Sequence, residues 1–150
     1  MSITITKGNM FDLNCDALVN PINCKGVMGA GLALEFKKRY PAMFTEYVKL
    51  CKASQIQIGK VWIWETGLLI PPLYLINFPT KDDWRNPSKL KWIESGLDDL
   101  RSHVILNEMA SIALPALGCG KGNLSFDNVR PLIELKLGDL KTNVFLFEPQ

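Results

Sequence analysis

Two glycine-rich stretches lie far apart in the chain, Asn20-Pro21-Ile22-Asn23-Cys24-Lys25-Gly26-Val27-Met28-Gly29-Ala30-Gly31 and Leu117-Gly118-Cys119-Gly120-Lys121-Gly122. Each follows a short apolar run, Ala17-Leu18-Val19 or Ile112-Ala113-Leu114, that reads as a buried strand, and each leads toward a helical pattern. Strand, glycine loop and helix in succession bring unpaired backbone N–H groups and the positive end of a helix dipole in front of an anion. Two such loops have room for two phosphates, so the order of elements points to a pocket for a diphosphate nucleotide on an α/β scaffold.

The chain of 150 residues is read as one domain over 1–150, of a size that buries roughly 70% of its unfolded surface without a disulfide or metal staple. Seventeen Lys and Arg against fifteen Asp and Glu leave a net charge of +2, which neither demands nor excludes nucleic acid, because a local patch matters more than the sum. There is no apolar run of membrane-spanning length, and Met1-Ser2-Ile3-Thr4-Ile5-Thr6 alternates like a strand instead of resembling a signal peptide. A cytoplasmic protein is expected. Cys15, Cys24, Cys51 and Cys119 lack C-x-x-C spacing and there is one histidine, so reduced thiols and no metal site are expected.

Residues Ile3–Lys7, Asp16–Asn20, Lys60–Trp64, Tyr74–Phe78, Ser111–Leu114 and Asn143–Phe147 have strand composition between Gly, Pro or Asn. Several are apolar without alternation, as expected when helices cover both faces of a sheet. Helical spacing runs from Gly31 to Tyr40, and Pro41 starts a second helix to about Ala53. A third is expected from about Pro87 to Leu106 with Asn86 as its cap, and a last one around Val129, Ile133 and Leu137, with Pro131 obscuring its start. The predicted architecture is a three-layer α/β/α sandwich on one mixed, mostly parallel six-stranded sheet, with ligands at loops beyond strand ends.

Several chemistries are thinned out. His103, the lone histidine, falls near a helix end, which leaves few routes to Ser-His or Cys-His catalysis. Gly120-Lys121 is followed by Gly122, not Ser or Thr, so no P-loop is present. The segment Asn77 to Ser88 instead concentrates Lys81, Asp82, Asp83, Trp84 and Arg85 at a strand end. As a plain charged loop, its carboxylates would pair with Lys81 and Arg85. As a functional loop, it offers Lys81 as a nucleophile, but an ordinary lysine is neutral in only about one molecule per several thousand at pH 7. Desolvation or a cationic neighbour is required, and Arg85 is the candidate cation. The run Lys37-Lys38-Arg39 is read as a solvated helix face, and Trp62 and Trp64 as core.

Taken together, Ala17-Leu18-Val19-Asn20, Asn23-Cys24, Gly26 to Gly31 with Ala33 and Phe36-Lys37-Lys38, Ile76 to Lys81 with Trp84-Arg85, and Pro115 to Gly120 resemble a macrodomain. More narrowly, they resemble the DNA ADP-ribosyl glycohydrolase branch of DarG-type antitoxins. The match covers nearly the whole chain in four separate loops.

The resemblance implies ADP-ribose as ligand and no cofactor. It implies that the backbone of Val27, Met28, Gly29, Ala30 and Gly31, with that of Leu117, Gly118, Cys119, Gly120, Lys121 and Gly122, holds the diphosphate. Asn23 would stand beside the distal ribose, where an Asn read without the family is a turn residue. Lys81 would act at C1″ of that ribose, as nucleophile or by assisting ring opening, while a thymine nitrogen leaves. Phe147 falls where macrodomains stack an aromatic ring on adenine, though a buried strand-end Phe fits the same pattern. Asn9 occupies the position at which many macrodomains bind the adenine amino group through Asp. Ala30 departs from the Lys of many DarG-type loops and matches the related terminal ADP-ribose protein glycohydrolases. Those hydrolases place Asp where this chain has Gly122, which favours the DNA branch; Asp83 stands where DarG-type loops commonly have His. The implied activity is removal of ADP-ribose from thymidine in single-stranded DNA, reversing a DarT-type toxin that is also a candidate partner; a monomer is the default expectation. Cleavage of glutamate-linked ADP-ribose and simple ADP-ribose binding are the alternatives. For the DNA substrate that the resemblance implies, Trp84 and Arg85 are the candidates to stack on a flipped or single-stranded base and contact a phosphate, with packing of Trp84 onto the domain as the alternative.

Overall fold

The computed structural model describes residues 2–150. Six strands, β1 (Ile3–Thr6), β2 (Ala17–Asn23), β3 (Trp62–Glu65), β4 (Tyr74–Lys81), β5 (Ser111–Leu114) and β6 (Asn143–Phe147), form one sheet in the order β1-β6-β5-β2-β4-β3. All neighbours are parallel except β3, which runs antiparallel to β4 at one edge. The helices are α1 (Gly31–Arg39), α2 (Pro41–Lys52), α3 (Leu90–Leu106) and α4 (Phe126–Leu137).

Burial explains the layering. The central strands are apolar on successive residues, so both faces must be covered. On one face Val19, Ile76, Ile112 and Leu114 pack with Ile93, Leu97 and Leu100 of α3 and Val129, Ile133 and Leu137 of α4. On the other, Leu18, Leu75 and Ala113 pack with Phe36 of α1 and Met43 and Tyr47 of α2. Each such fully buried aliphatic or aromatic side chain contributes roughly 1.5–3 kcal/mol. The expected three-layer sandwich on a mixed, mostly parallel sheet is the observed fold. Trp62 and Trp64 are half-buried, not core, and Trp64 donates its Nε1–H to Glu46 Oε2 at 2.8 Å. No helix among the described residues is long and apolar enough to cross a membrane.

Two strands exceed the expectation. β2 continues through Pro21 to Asn23 and β4 through Pro79 to Lys81, beyond the limits at Asn20 and Phe78. Proline is tolerated where a strand has a neighbour on one side only. That condition holds here: β5 pairs with β2 only at Ala17 and Leu18, and β3 pairs with β4 only as far as Asn77. Beyond those points β2 and β4 have only each other. A register shift between Ile22 and Asn23 then sets Asn23 opposite Lys81.

The third helix starts later than expected. Asn86 and Pro87 are not its cap and first turn; it begins at Leu90 with Lys89 in the cap position. The Ser88 amide donates to the Gly122 carbonyl at 3.0 Å, and the Asn86 amide to Asp83 at 3.1 Å, so this segment is held as a turn against the second glycine loop. In α4, Pro131 lies inside the helix, and Ser125 caps it.

Gly96 shows how tightly α3 meets β4, because a Cβ there would collide with the ring of Phe78. Gly96→Ala is expected to destabilise the fold by about 1–3 kcal/mol through overpacking, measured as a lower urea midpoint with an unchanged slope.

Candidate active site

The loops following β2, β4 and β5 gather at the carboxyl ends of the parallel strands. The first is shaped by Asn23, which is only 8% exposed. Its Nδ2 donates to the Val27 carbonyl at 2.7 Å, and its Oδ1 accepts from the Lys25 amide at 2.9 Å and from the Tyr47 hydroxyl at 3.0 Å. The same hydroxyl reaches the Asn23 carbonyl at 2.7 Å. Burial pushes the Tyr47 hydroxyl well above the usual tyrosine range, so it stays a donor. Asn23 therefore staples the turn that presents Val27 to Gly31.

What that turn presents is a helix end without a lid. Ala30 caps α1 in extended conformation and makes no side-chain capping bond. The amides of Met28, Gly29, Ala30 and Gly31 find no acceptor among the described residues. Lys37, Lys38 and Arg39 lie in the last turn of α1, where they complement its negative end. Open amides plus an uncapped dipole are the features that suit an anion. Met28 is buried, while Gly29, Ala30 and Gly31 are exposed.

The second loop works differently from the expectation. Its following helix, α4, is not open: Ser125 Oγ accepts from the Asp127 amide at 3.2 Å and Asp127 adds negative charge to the first turn. An anion there would meet an occupied cap. The loop itself folds tightly, with the Leu124 amide donating to Gly118 at 2.9 Å and the Asn123 amide to Gly120 at 3.1 Å. Gly118 has φ +73°, the left-handed region that favours glycine. At Gly122 a Cβ would lie 2.5 Å from the Gly118 carbonyl oxygen and from Ser88 Oγ. Leu117 is fully buried beneath, and Cys119 is half-buried with its thiol pushed up to about 11 by burial, which removes it as a nucleophile near neutral pH. The amides of Gly120 and Lys121 find no acceptor among the described residues.

Lys81 ends β4 between these loops. Its ammonium reaches the Trp84 carbonyl at 3.5 Å. Burial first, and the Lys121 ammonium second, hold it below the ordinary lysine value. The cationic neighbour is thus Lys121 of the second loop, not Arg85. Arg85 is committed elsewhere: its Nε and Nη2 clamp Asp83 at 3.0 and 2.7 Å. That fork holds the Asp83 carboxyl far below the usual range and cancels its charge. Trp84 is 51% exposed and carries the Arg85 guanidinium 5.5 Å from its ring centre.

Asn9 and Phe147 lie at the β1–β6 side. Asn9 is exposed and caps the 3-10 turn Met10–Asp12, its Oδ1 accepting from the Phe11 amide at 3.0 Å. Phe147 is 7% exposed, in one apolar cluster with Met10 and Met28. Two features escaped the sequence reading. One is the Lys121 contribution, which needs the tertiary approach of two loops. The other is the pair Asn20 and Asn77, opposite each other in β2 and β4 and fully buried, with Asn20 Nδ2 donating to Asn77 Oδ1 at 3.0 Å. An Asn ending each apolar run was its only sequence signal.

The fold and the loop set define a macrodomain, and the macro domain family model matches residues 19–133; the chain belongs to that family. Within it, the chain is 49% identical over 127 residues to a DNA ADP-ribosyl glycohydrolase of Mycobacterium tuberculosis, covering 85% of this chain and 36% of that protein. It is 40% identical over 148 residues to one of Thermus aquaticus, covering 98% of this chain and 41% of that protein. The chain thus spans about two-fifths of these curated relatives. Among solved structures, it is similar to the macrodomain of Mycobacterium tuberculosis DarG, with TM-score 0.96 and 43% identity over 99% of this chain and 98% of that one. It is also similar to Thermosipho africanus DarTG in complex with ADP-ribose, with TM-score 0.90 and 31% identity over 99% of this chain and 42% of that one.

The two glycines of the second loop separate folding from binding. A side chain at Gly120 meets nothing within 4 Å, whereas one at Gly122 collides with backbone. Gly120→Val is expected to leave the melting temperature within about 2 °C, and Gly122→Ala to lower it by several degrees, read by thermal denaturation; if the second loop holds the ADP-ribose that the resemblance implies, Gly120→Val also weakens that binding at least tenfold by calorimetry.

Proposed function

We propose that this macrodomain hydrolyses the bond between ADP-ribose and a thymine base in single-stranded DNA, reversing a DarT-type modification as a cytoplasmic monomer without a cofactor. The observation that carries the reading is Lys81: an amine whose pKa is lowered by desolvation and by Lys121, opposite Asn23, which shapes the loop leading to the uncapped start of α1. The relatives' names, DNA ADP-ribosyl glycohydrolase, support ADP-ribosylated DNA as the substrate class.

In this reading the diphosphate lies on the open amides of residues 28 to 31 and of Gly120 and Lys121. Four of these six amides, at roughly 1.5–3 kcal/mol for each charge-assisted bond, suffice for a micromolar affinity of about −8 kcal/mol before ordering costs. Asn23 sets the loop against the distal ribose through Val27, with one Nδ2 hydrogen on the Val27 carbonyl and the other left for the ribose. The neutral Lys81 amine attacks C1″; the C1″–N bond breaks, and its electron pair goes to the thymine nitrogen, which takes up the proton released by Nζ. Water then cleaves the C1″–Nζ bond and returns the amine and free ADP-ribose. Trp84, half in solvent, stacks on the base, and Arg85 completes the loop through Asp83 while offering its outer face to a phosphate. Phe147 and Asn9 border the adenine. The alternative of glutamate-linked ADP-ribose is disfavoured by Gly122, where a side chain has no space for the carboxylate that the protein hydrolases place there.

Lys81→Ala is expected to lower release from ADP-ribosylated DNA by at least a hundredfold while ADP-ribose binding persists. Wild type should release label faster from DNA than from protein. Intact DNA hydrolysis in Lys81→Ala would refute the assignment. Because the neutral amine is the active form, kcat/KM should rise with pH through the lowered Lys81 value. Lys121→Glu replaces a repelling charge by an attracting one and stabilises the ammonium, so the ascending limb should move to higher pH, read from the pH–rate profile.

A further inference from the structure

We infer that a cleft of about 400 Å³ beside the first glycine loop is a second nucleotide subsite, which takes the nucleotide adjoining the modified thymidine in the same strand. This inference rests on the DNA reading above and extends it to substrate recognition. The cleft lies between the start of that loop and the end of α2, with Lys25, Lys52 and Gln57 at its walls and Cys24, Cys51 and Ile56 among its lining.

Three properties fit a nucleotide. First, the floor is uncharged and apolar. Ile56 is buried, and burial pushes the Cys24 thiol up to about 11 and the Cys51 thiol above its ordinary value, so neither is a thiolate near neutral pH. A flat base face needs a floor of that kind. Second, Lys25 and Lys52 are exposed and unpaired by any salt bridge among the described residues, and so are available to a phosphate. Asp82 is the carboxylate that acts on Cys24, and its Oδ1 accepts from the Asp83 amide at 2.8 Å. Lys25 also acts on the Asp83 carboxyl, but that charge is already clamped by Arg85. Third, Gln57 uses its Nε2 on the Ser54 carbonyl at 3.2 Å, which leaves Oε1 to accept from a base amino group.

Continuity with the reacting centre decides the occupant. The Cys24 amide donates to the Asp82 carbonyl at 3.3 Å, and the residues just before these two, Asn23 and Lys81, are opposite each other across β2 and β4. The cleft therefore begins one residue from the pair that flanks C1″. A strand whose modified base stands over Lys81 has its next nucleotide within reach of Lys25 and Lys52, whereas a free nucleotide sugar has nothing to place there.

The test uses the double variant Lys25→Ala/Lys52→Ala, whose sites are exposed, with two readouts. In fluorescence anisotropy with labelled hexathymidylate, the slope of log affinity against log salt should be shallower in the variant by about 1.4, at roughly 0.7 per lysine on a single strand. In kinetics, KM for a hexanucleotide modified at one internal thymidine should rise about tenfold, while KM for ADP-ribosylated thymidine mononucleotide and the affinity for free ADP-ribose stay unchanged. An unchanged salt slope together with an unchanged hexanucleotide KM overturns the subsite, as does wild type that binds no hexathymidylate at low salt. If wild type hydrolyses neither modified substrate, the proposed activity falls, while the hexathymidylate slope still decides whether the cleft holds DNA.

Discussion

The pairing of β2 with β4 beyond the rest of the sheet is the constraint from which the site follows. Where β5 and β3 leave off, these two strands continue through Pro21 and Pro79 as a ribbon of two, and each proline occupies a place with one hydrogen-bonding side to lose. The ribbon carries Asn23 and Lys81 to the same level and sets them opposite each other. Its base is locked by the buried Asn20–Asn77 bond. An unpaired buried amide costs about 1–3 kcal/mol, so the pair tolerates little slippage between strands. Register in the core is thereby converted into geometry at the surface.

On this frame, charge is distributed by structure and not by composition. The +2 of the whole chain says little, whereas the local arrangement separates three functions. An uncapped α1 offers open amides; a capped α4 does not. Lys121 acts on Lys81 from the second loop, and Arg85 is neutralised by Asp83, so the amine is tuned by one cation and not by the nearer one in sequence. The two glycine loops are therefore unequal partners: one supplies a helix end, the other a tight turn and a lysine.

Much was legible from residue order. Six runs of strand composition with glycine, proline or asparagine boundaries located six strands, and the absence of alternation in several of them implied helices on both faces. The loop motifs sufficed for the family. The errors cluster where local rules were outvoted. Asn86-Pro87 has the form of a helix start, but the Ser88 amide is taken by Gly122 and the helix waits until Leu90. Pro21 and Pro79 have the form of strand ends, but one-sided pairing lets both strands pass them. Arg85, four residues from Lys81, was the natural cation until Asp83 closed on it.

Residue types and their spacing along the chain were thus enough for the layer architecture, the glycine turns and the presence of a strand-end lysine, because these depend on burial period and on φ preferences that act within a few residues. They were not enough for the pairing of Asn23 with Lys81, the influence of Lys121, the stapling of Asn23 by Tyr47 or the closed state of α4. Those depend on distances between segments that are remote in the chain, and such distances exist only once the sheet has set its strand order and register. Electrostatic coupling falls with separation in space, to which separation in sequence is no guide.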